Sequence, residues 1–222
     1  MPIVEASTFK HPARASRFRA LAPSEVEFGK SKNRFVRQPK TRAFYWSQSL
    51  GLSSINKASQ GRVLNELRRL AKDSQKSVVV EWGCGTGSAI RTASKLFPSI
   101  KFIGFSKTMY PGWEKRVSKN ASFLSTGPNQ FVTYLCKKKI TPSLIFDSMG
   151  LFHLIYSGEN ISHLTALKDC LSVGGKVISI PSPIGLLPGN KEKLEAAGFA
   201  IESFSGVLKG KTASGVVLTR VK

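Results

Sequence analysis

Ten residues, Val78 to Gly87, read V-V-V-E-W-G-C-G-T-G and restrict the fold more than any other stretch of the chain. Val78, Val79 and Val80 favour a pleated, buried surface. An acid, Glu81, follows, and glycines then recur at Gly83, Gly85 and Gly87. Glycine accepts the positive φ that a tight turn demands and lets a ligand lie against bare backbone. Ser88 to Phe97 has helical spacing, so the turn presents free N–H groups at a helix N-terminus. A carboxylate at the strand's end suits a ligand with hydroxyls or a cationic centre better than a bare pyrophosphate. Glycines spaced by two also fail the nicotinamide-binding pattern G-x-G-x-x-G.

Strand and helix signals alternate after this turn. Strands are expected at 77–82, 100–105, 121–124, 143–148 and 176–180, and helices at 87–97, 111–119, 129–138 and 160–172. That order implies a mostly parallel sheet with helices on both faces. An earlier helix begins near Ser59 as N-cap, with Val63, Leu64, Leu67 and Leu70 on one face. The tail differs: a short helix at 191–197 stops at Gly198, then F-A-I-E-S-F and G-V-V-L-T-R-V follow, joined by a Gly/Lys-rich loop. Two strands joined without a helix are antiparallel neighbours. The chain thus divides into a basic arm, residues 1–42, and one α/β domain, residues 43–222.

E-W-G-C-G-T-G resembles motif I of the class I S-adenosylmethionine-dependent methyltransferases. Three later segments resemble the same family: I-F-D-S-M-G-L-F-H-L its fourth strand and following loop, L-S-V-G-G-K-V-I-S-I its turn into strand five, and L-E-A-A-G-F the helix end before strand six. The resemblance covers residues 43–222. It implies a seven-stranded, mostly parallel sheet with one antiparallel strand, helices on both faces and a basic N-terminal extension. It also implies S-adenosylmethionine as cofactor, cradled by Gly83, Cys84, Gly85 and Gly87 with Glu81 close by. At the end of strand two, where most of the family has an acid for the ribose hydroxyls, this sequence has Ser106, which can serve only one of them. Asn129 and Gln130 stand where the family often reads the adenine edge, or simply cap a helix.

Asp147 ends the fourth strand beside the place where the transferred methyl would sit. It is the candidate catalytic residue, orienting the acceptor or taking its proton, and a further cofactor contact; the alternative is a turn-forming aspartate. His153 matches a histidine common at this point in small-molecule members of the family, where it is often structural; a catalytic role is the alternative. No N/D-P-P-Y/F segment follows strand four, which argues against exocyclic amine methylation, and no Pro-Cys pair supports a covalent C5-pyrimidine mechanism. Of the Lys-Asp-Lys-Glu tetrad of ribose methyltransferases, Lys40 or Lys57, Asp147 and Glu202 fill three places, but Lys176 lies at the wrong end of strand five.

The net charge is +21. It is spread along the chain, with +7 in residues 1–42 and +8 in residues 76–150. Such a field attracts polyanions, so nucleic acid is the expected partner; the resemblance puts RNA before DNA, because basic methyltransferases of this size often act on RNA. Arg34, Arg37, Lys40, Arg42, Tyr45 and Trp46 mix basic and aromatic side chains in the manner of base-stacking, phosphate-holding segments. The rings at 44–46 could equally form the apolar face of a helix over the cofactor cleft. Three scattered cysteines, Cys84, Cys136 and Cys170, fit a reducing compartment and no zinc site, with Cys84 a small filler in the turn. No apolar run approaches the ~18 residues of a membrane span. An intracellular, cytoplasmic protein is expected. Organelle import is the alternative suggested by the basic arm and opposed by Glu5, Glu25 and Glu27. The oligomeric state has no signature in the sequence.

A second reading, of a different class, is a methyltransferase-like nucleic-acid-binding or assembly factor without catalysis. A third is a small-molecule methyltransferase whose charge is incidental.

Overall fold

The computed structural model describes residues 51–73, 76–107, 109–110, 112–113, 117–148, 162–180, 190–208 and 211–222. The arm, the basic-aromatic stretch with Arg34, Arg37, Lys40, Arg42, Tyr45 and Trp46, and His153 lie outside the described residues.

Among the described residues two helices, α1 (Leu52–Ala58) and α2 (Arg62–Lys72), precede the sheet. Ser59 acts at the start of α2, but from further back than a simple N-cap, because Gly61 occupies that position in the left-handed region at φ 82°. Ser59 Oγ accepts the Val63 N–H at 3.3 Å, and Asn56 Oδ1 accepts that of Leu64 at 3.1 Å. Two of the free N–H groups of α2 are thereby satisfied from α1 and its turn.

The remaining elements among the described residues are β1 (Val78–Trp82), α3 (Ser88–Leu96), β2 (Lys101–Ser106), β3 (Ala121–Ser125), α4 (Pro128–Lys137), β4 (Leu144–Ser148), α5 (Ser162–Cys170), β5 (Lys176–Ile180), α6 (Asn190–Ala196), β6 (Phe199–Leu208) and β7 (Lys211–Arg220). They form one seven-stranded sheet in the order β3-β2-β1-β4-β5-β7-β6. β1 to β5 are parallel, and β7 runs antiparallel to both its neighbours. This is the expected architecture, with five strands and most helices within one or two residues of their expected bounds.

Alternation along β1 divides the core. Val79 faces α1, α2 and α3 together with Phe102, Phe123 and Phe146. Val80 and Trp82 face α4, α5 and α6 together with Phe105, Phe131 and Leu167. Phe105 stacks on Phe131 at 4.2 Å, and Trp82 meets Phe105 edge-on at 4.7 Å. Such ring pairs add about 0.5–1.5 kcal/mol each beyond the area they bury.

Two expectations fail. The helix at 111–119 does not form at the described positions of that stretch: Gly112 sits at φ 100°, in a turn with Trp113, and residues 117–118 are irregular. Gly112 disfavours the helical run, and the apolar Trp113 is instead buried under the glycine turn. The tail strands are also longer than their apolar cores. Ser205, Gly206 and Ser214 belong to the β6–β7 ladder, which pairs every position from Phe199↔Arg220 to Leu208↔Lys211. At Gly206 a Cβ would run into the Ala58 carbonyl, so glycine is what lets α1 lie on this hairpin. β5 pairs only with residues 216–219 of β7. The hairpin therefore continues past the carboxyl end of β5.

Candidate functional site

The turn after β1 is built as its glycines require. Gly83, Gly85 and Gly87 have φ of 73°, 54° and 77°. The N–H groups of Gly83 and Cys84 both donate to the Phe105 carbonyl, at 2.8 and 2.9 Å, which pins the turn to the end of β2. A Cβ on Gly87 would enter the ring of Phe123. Phe123 is in turn stacked on Trp113, with ring centroids 5.2 Å apart and planes 16° from parallel. The Trp113 indole donates to the Gly85 carbonyl at 2.7 Å. Arg91 closes the group from α3, with its guanidinium 5.2 Å from the Phe123 centroid and a hydrogen bond to the Gly112 carbonyl.

Glu81 is 1% exposed at the end of β1. Burial pushes its carboxyl well above the ordinary carboxylate range; the Ile90 N–H near the start of α3 opposes that shift, and Asp147 adds to it. Its Oε2 has no hydrogen-bond partner, nor do the buried Ser148 Oγ and Thr126 Oγ1. All three oxygens stand at the carboxyl ends of parallel strands: Glu81 on β1, Ser148 closing β4, and Thr126 just past β3. Buried polar atoms are nearly always paired, so three open acceptors along one edge call for a ligand or water. That edge is also where open α/β sheets bind ligands, at the point where strand order reverses. Here the order reverses between β1 and β4.

Asp147 is fully buried and accepts a 2.9 Å hydrogen bond from Ser179 Oγ on β5. Ser106 is buried at the end of β2, and its carbonyl accepts the Thr126 N–H at 3.1 Å. Burial, with Glu81 adjacent, pushes the Cys84 thiol well up, which makes Cys84 a filler and a poor nucleophile. Glu81, Gly83, Cys84, Gly85, Gly87, Ser106 and Asp147 thus gather on one edge. Asn129 and Gln130 are exposed in the first turn of α4.

The ribose-methylation tetrad does not assemble. Lys176 opens β5 at the opposite edge and bonds Glu66 at 2.8 Å. Glu202 is exposed on β6, paired with Arg62 at 2.8 Å. Sequence reasoning missed Trp113, Phe123, Thr126 and Ser148. The lone tryptophan in a stretch that carries Pro111 and Gly112 was the one available signal for this cluster. Among the described residues no group of His, Cys, Asp and Glu is placed to hold a metal, and no helix is long and apolar enough to cross a membrane.

No family model and no curated protein matches the chain. Solved structures do. The O-methyltransferase TomG of Streptomyces achromogenes, involved in tomaymycin synthesis and solved with S-adenosylmethionine, is 14% identical at a TM-score of 0.56, over 82% of this chain and 96% of TomG. A S-adenosylmethionine-dependent methyltransferase from Agrobacterium tumefaciens is 13% identical at 0.54, over 74% of this chain and 62% of that one. The antibiotic-resistance methyltransferase Kmr is 16% identical at 0.51, over 68% and 91%. The chain has the fold of the class I S-adenosylmethionine-dependent methyltransferases.

Proposed function

We propose that this protein is a S-adenosylmethionine-dependent methyltransferase acting on RNA or an RNA-bound assembly. The observation that carries the reading is the set of open buried oxygens on Glu81, Thr126 and Ser148 beside the Gly83–Gly87 backbone. A ligand with an amino group and hydroxyls satisfies such an edge, and S-adenosylmethionine has both. The turn backbone and Glu81 hold the amino-acid end, and Ser106 takes one ribose hydroxyl. When bound, the cofactor supplies a methyl group already activated by its sulfonium, so the protein's work is alignment in a dry site. Asp147, oriented by Ser179, holds the acceptor and takes its proton where the acceptor has one to lose. The net charge of +21 supports a polyanionic substrate.

The deciding experiment is calorimetric titration with S-adenosylmethionine, followed by incubation with labelled cofactor and separate RNA, protein and metabolite fractions. Micromolar binding, on the order of 8 kcal/mol, is expected, lost in Gly85→Arg, with label entering RNA. Absence of binding at millimolar cofactor would overturn the reading. Ser106 in place of an acid favours the second reading, a binding factor without catalysis. Tight RNA binding with no transfer to any fraction would decide for it.

A further inference from the structure

Parallel strands all begin at one edge of a sheet, and here nearly every beginning carries lysine. In sheet order, Lys119 precedes β3, Lys101 opens β2, Lys76 precedes β1, Lys139 lies in the turn before β4, and Lys222 follows β7. The helices that return to this edge add Lys72, Lys95, Lys137 and Lys138. All nine are exposed, and none forms an ion pair with a described carboxylate. Asp73 and Asp169 are the exposed carboxylates at the ends of α2 and α5, and Glu66 is already taken by Arg69 and Lys176. At about 4.8 Å per strand, the row from β3 to β7 extends some 24 Å.

Charge complementarity at helix C-termini explains Lys72, Lys95 and Lys137. It does not explain Lys76, Lys101 or Lys119, which lie outside the helices. Lys139 is the most telling. It follows α4 at φ 51°, the left-handed position that glycine normally takes, while the Ile140 N–H closes back on the Leu135 carbonyl at 2.9 Å. A lysine here strains the backbone, and its exposed side chain makes no described contact in return. The edge is also held firmly. The Asn120 side-chain amide lies within 3.2 Å of the carbonyls of Ser94, Phe97 and Ile100, tying the end of α3 to the starts of β2 and β3.

We infer that this amino edge is a second RNA-binding surface, which grips the phosphate backbone of a folded RNA at the end of the domain opposite the methionine-binding turn. Strands of five or six residues separate the two edges by roughly 17–20 Å. An RNA held at both must turn around the domain, so the substrate is a large folded RNA rather than a nucleotide or short single strand. The choice of RNA rests on the proposed function; the charged edge does not.

The test measures binding of bulk transfer RNA to the full chain across a salt series. Lys101→Gln/Lys119→Gln/Lys138→Gln is compared with a control at other exposed sites, Lys57→Gln/Arg68→Gln/Lys191→Gln. The edge triple should lower the slope of log K against log salt by about 2, and the control should leave it nearly unchanged. Lys139→Gly should raise Tm while weakening RNA binding, a pairing that a purely structural lysine would not produce. Equal losses in the two triples, or undiminished binding in Lys139→Gly, would overturn the inference. Tighter binding to duplex DNA than to RNA would overturn the choice of RNA. Cofactor titration of the edge triple should match the parent. A parent that binds RNA through this edge but not S-adenosylmethionine would sink the proposed function alone.

Discussion

The indole N–H of Trp113 donates to the Gly85 carbonyl across 2.7 Å, joining the irregular segment after β2 to the middle of the glycine turn. The ring is 1% exposed and stacked on Phe123, whose position in turn requires a glycine at 87. A turn that must hold three positive φ values is therefore braced from beneath.

Trp113→Phe keeps a ring on Phe123 and removes the strong donor, leaving the buried Gly85 carbonyl only the weak Cys84 thiol at 3.9 Å. The expected cost is about 1–3 kcal/mol in urea unfolding, together with weaker S-adenosylmethionine binding. An unchanged midpoint would show that the bond does not brace the turn.

Gly87→Ala combines a left-handed backbone with a Cβ driven into Phe123. The two penalties sum to about 2–6 kcal/mol, read as a lower thermal midpoint. Truncating the obstacle separates them: Gly87→Ala/Phe123→Leu should recover the steric part only.

Burial raises the Glu81 carboxyl above its unfolded value, so the folded state holds this proton more tightly than the unfolded one. Its contribution to stability is full at acid pH and is lost as pH rises from the ordinary carboxylate range through the raised folded value. Glu81→Gln should therefore gain stability on the parent as pH increases, in thermal melts without ligand. A constant difference across pH would contradict the burial argument. S-adenosylmethionine binding should fall in the same variant.

Glu66 shows the opposite sign. Burial works against its charge, but hydrogen bonds from Arg69 and Lys176 outweigh it and hold the carboxyl below the ordinary glutamate range. That stability is present above the unfolded pKa and lost as pH falls through the folded one. Lys176→Met should cost about 1–2 kcal/mol at neutral pH. The deficit should shrink in acid, since protonated Glu66 has little to lose.

Strand positions were legible because β1 and β4 are buried on both faces and each opens on three consecutive apolar residues, Val78–Val80 and Leu144–Phe146. The glycine turn was legible because positive φ selects glycine. What was not legible depends on tertiary contact. Trp113 lies in a segment with helical composition, yet the space beneath Gly85 and Gly87 takes the ring and the helix is forfeited. Ser205 to Ser214 read as loop by residue type, but the two long strands pair through them, with α1 packed where Gly206 has no side chain. The open oxygens of Thr126 and Ser148 became visible only once strand ends were aligned.

The position of β7 between β5 and β6 has a consequence for synthesis on the ribosome. β5 and β6 emerge first, and until β7 has also been made β5 is paired only with β4 and β6 has no partner. The nascent chain passes through a stage with an unpaired edge on β5, a template for mispairing with another chain. Nonsense truncation before Lys211 would freeze that stage, so such products should aggregate rather than persist as soluble fragments.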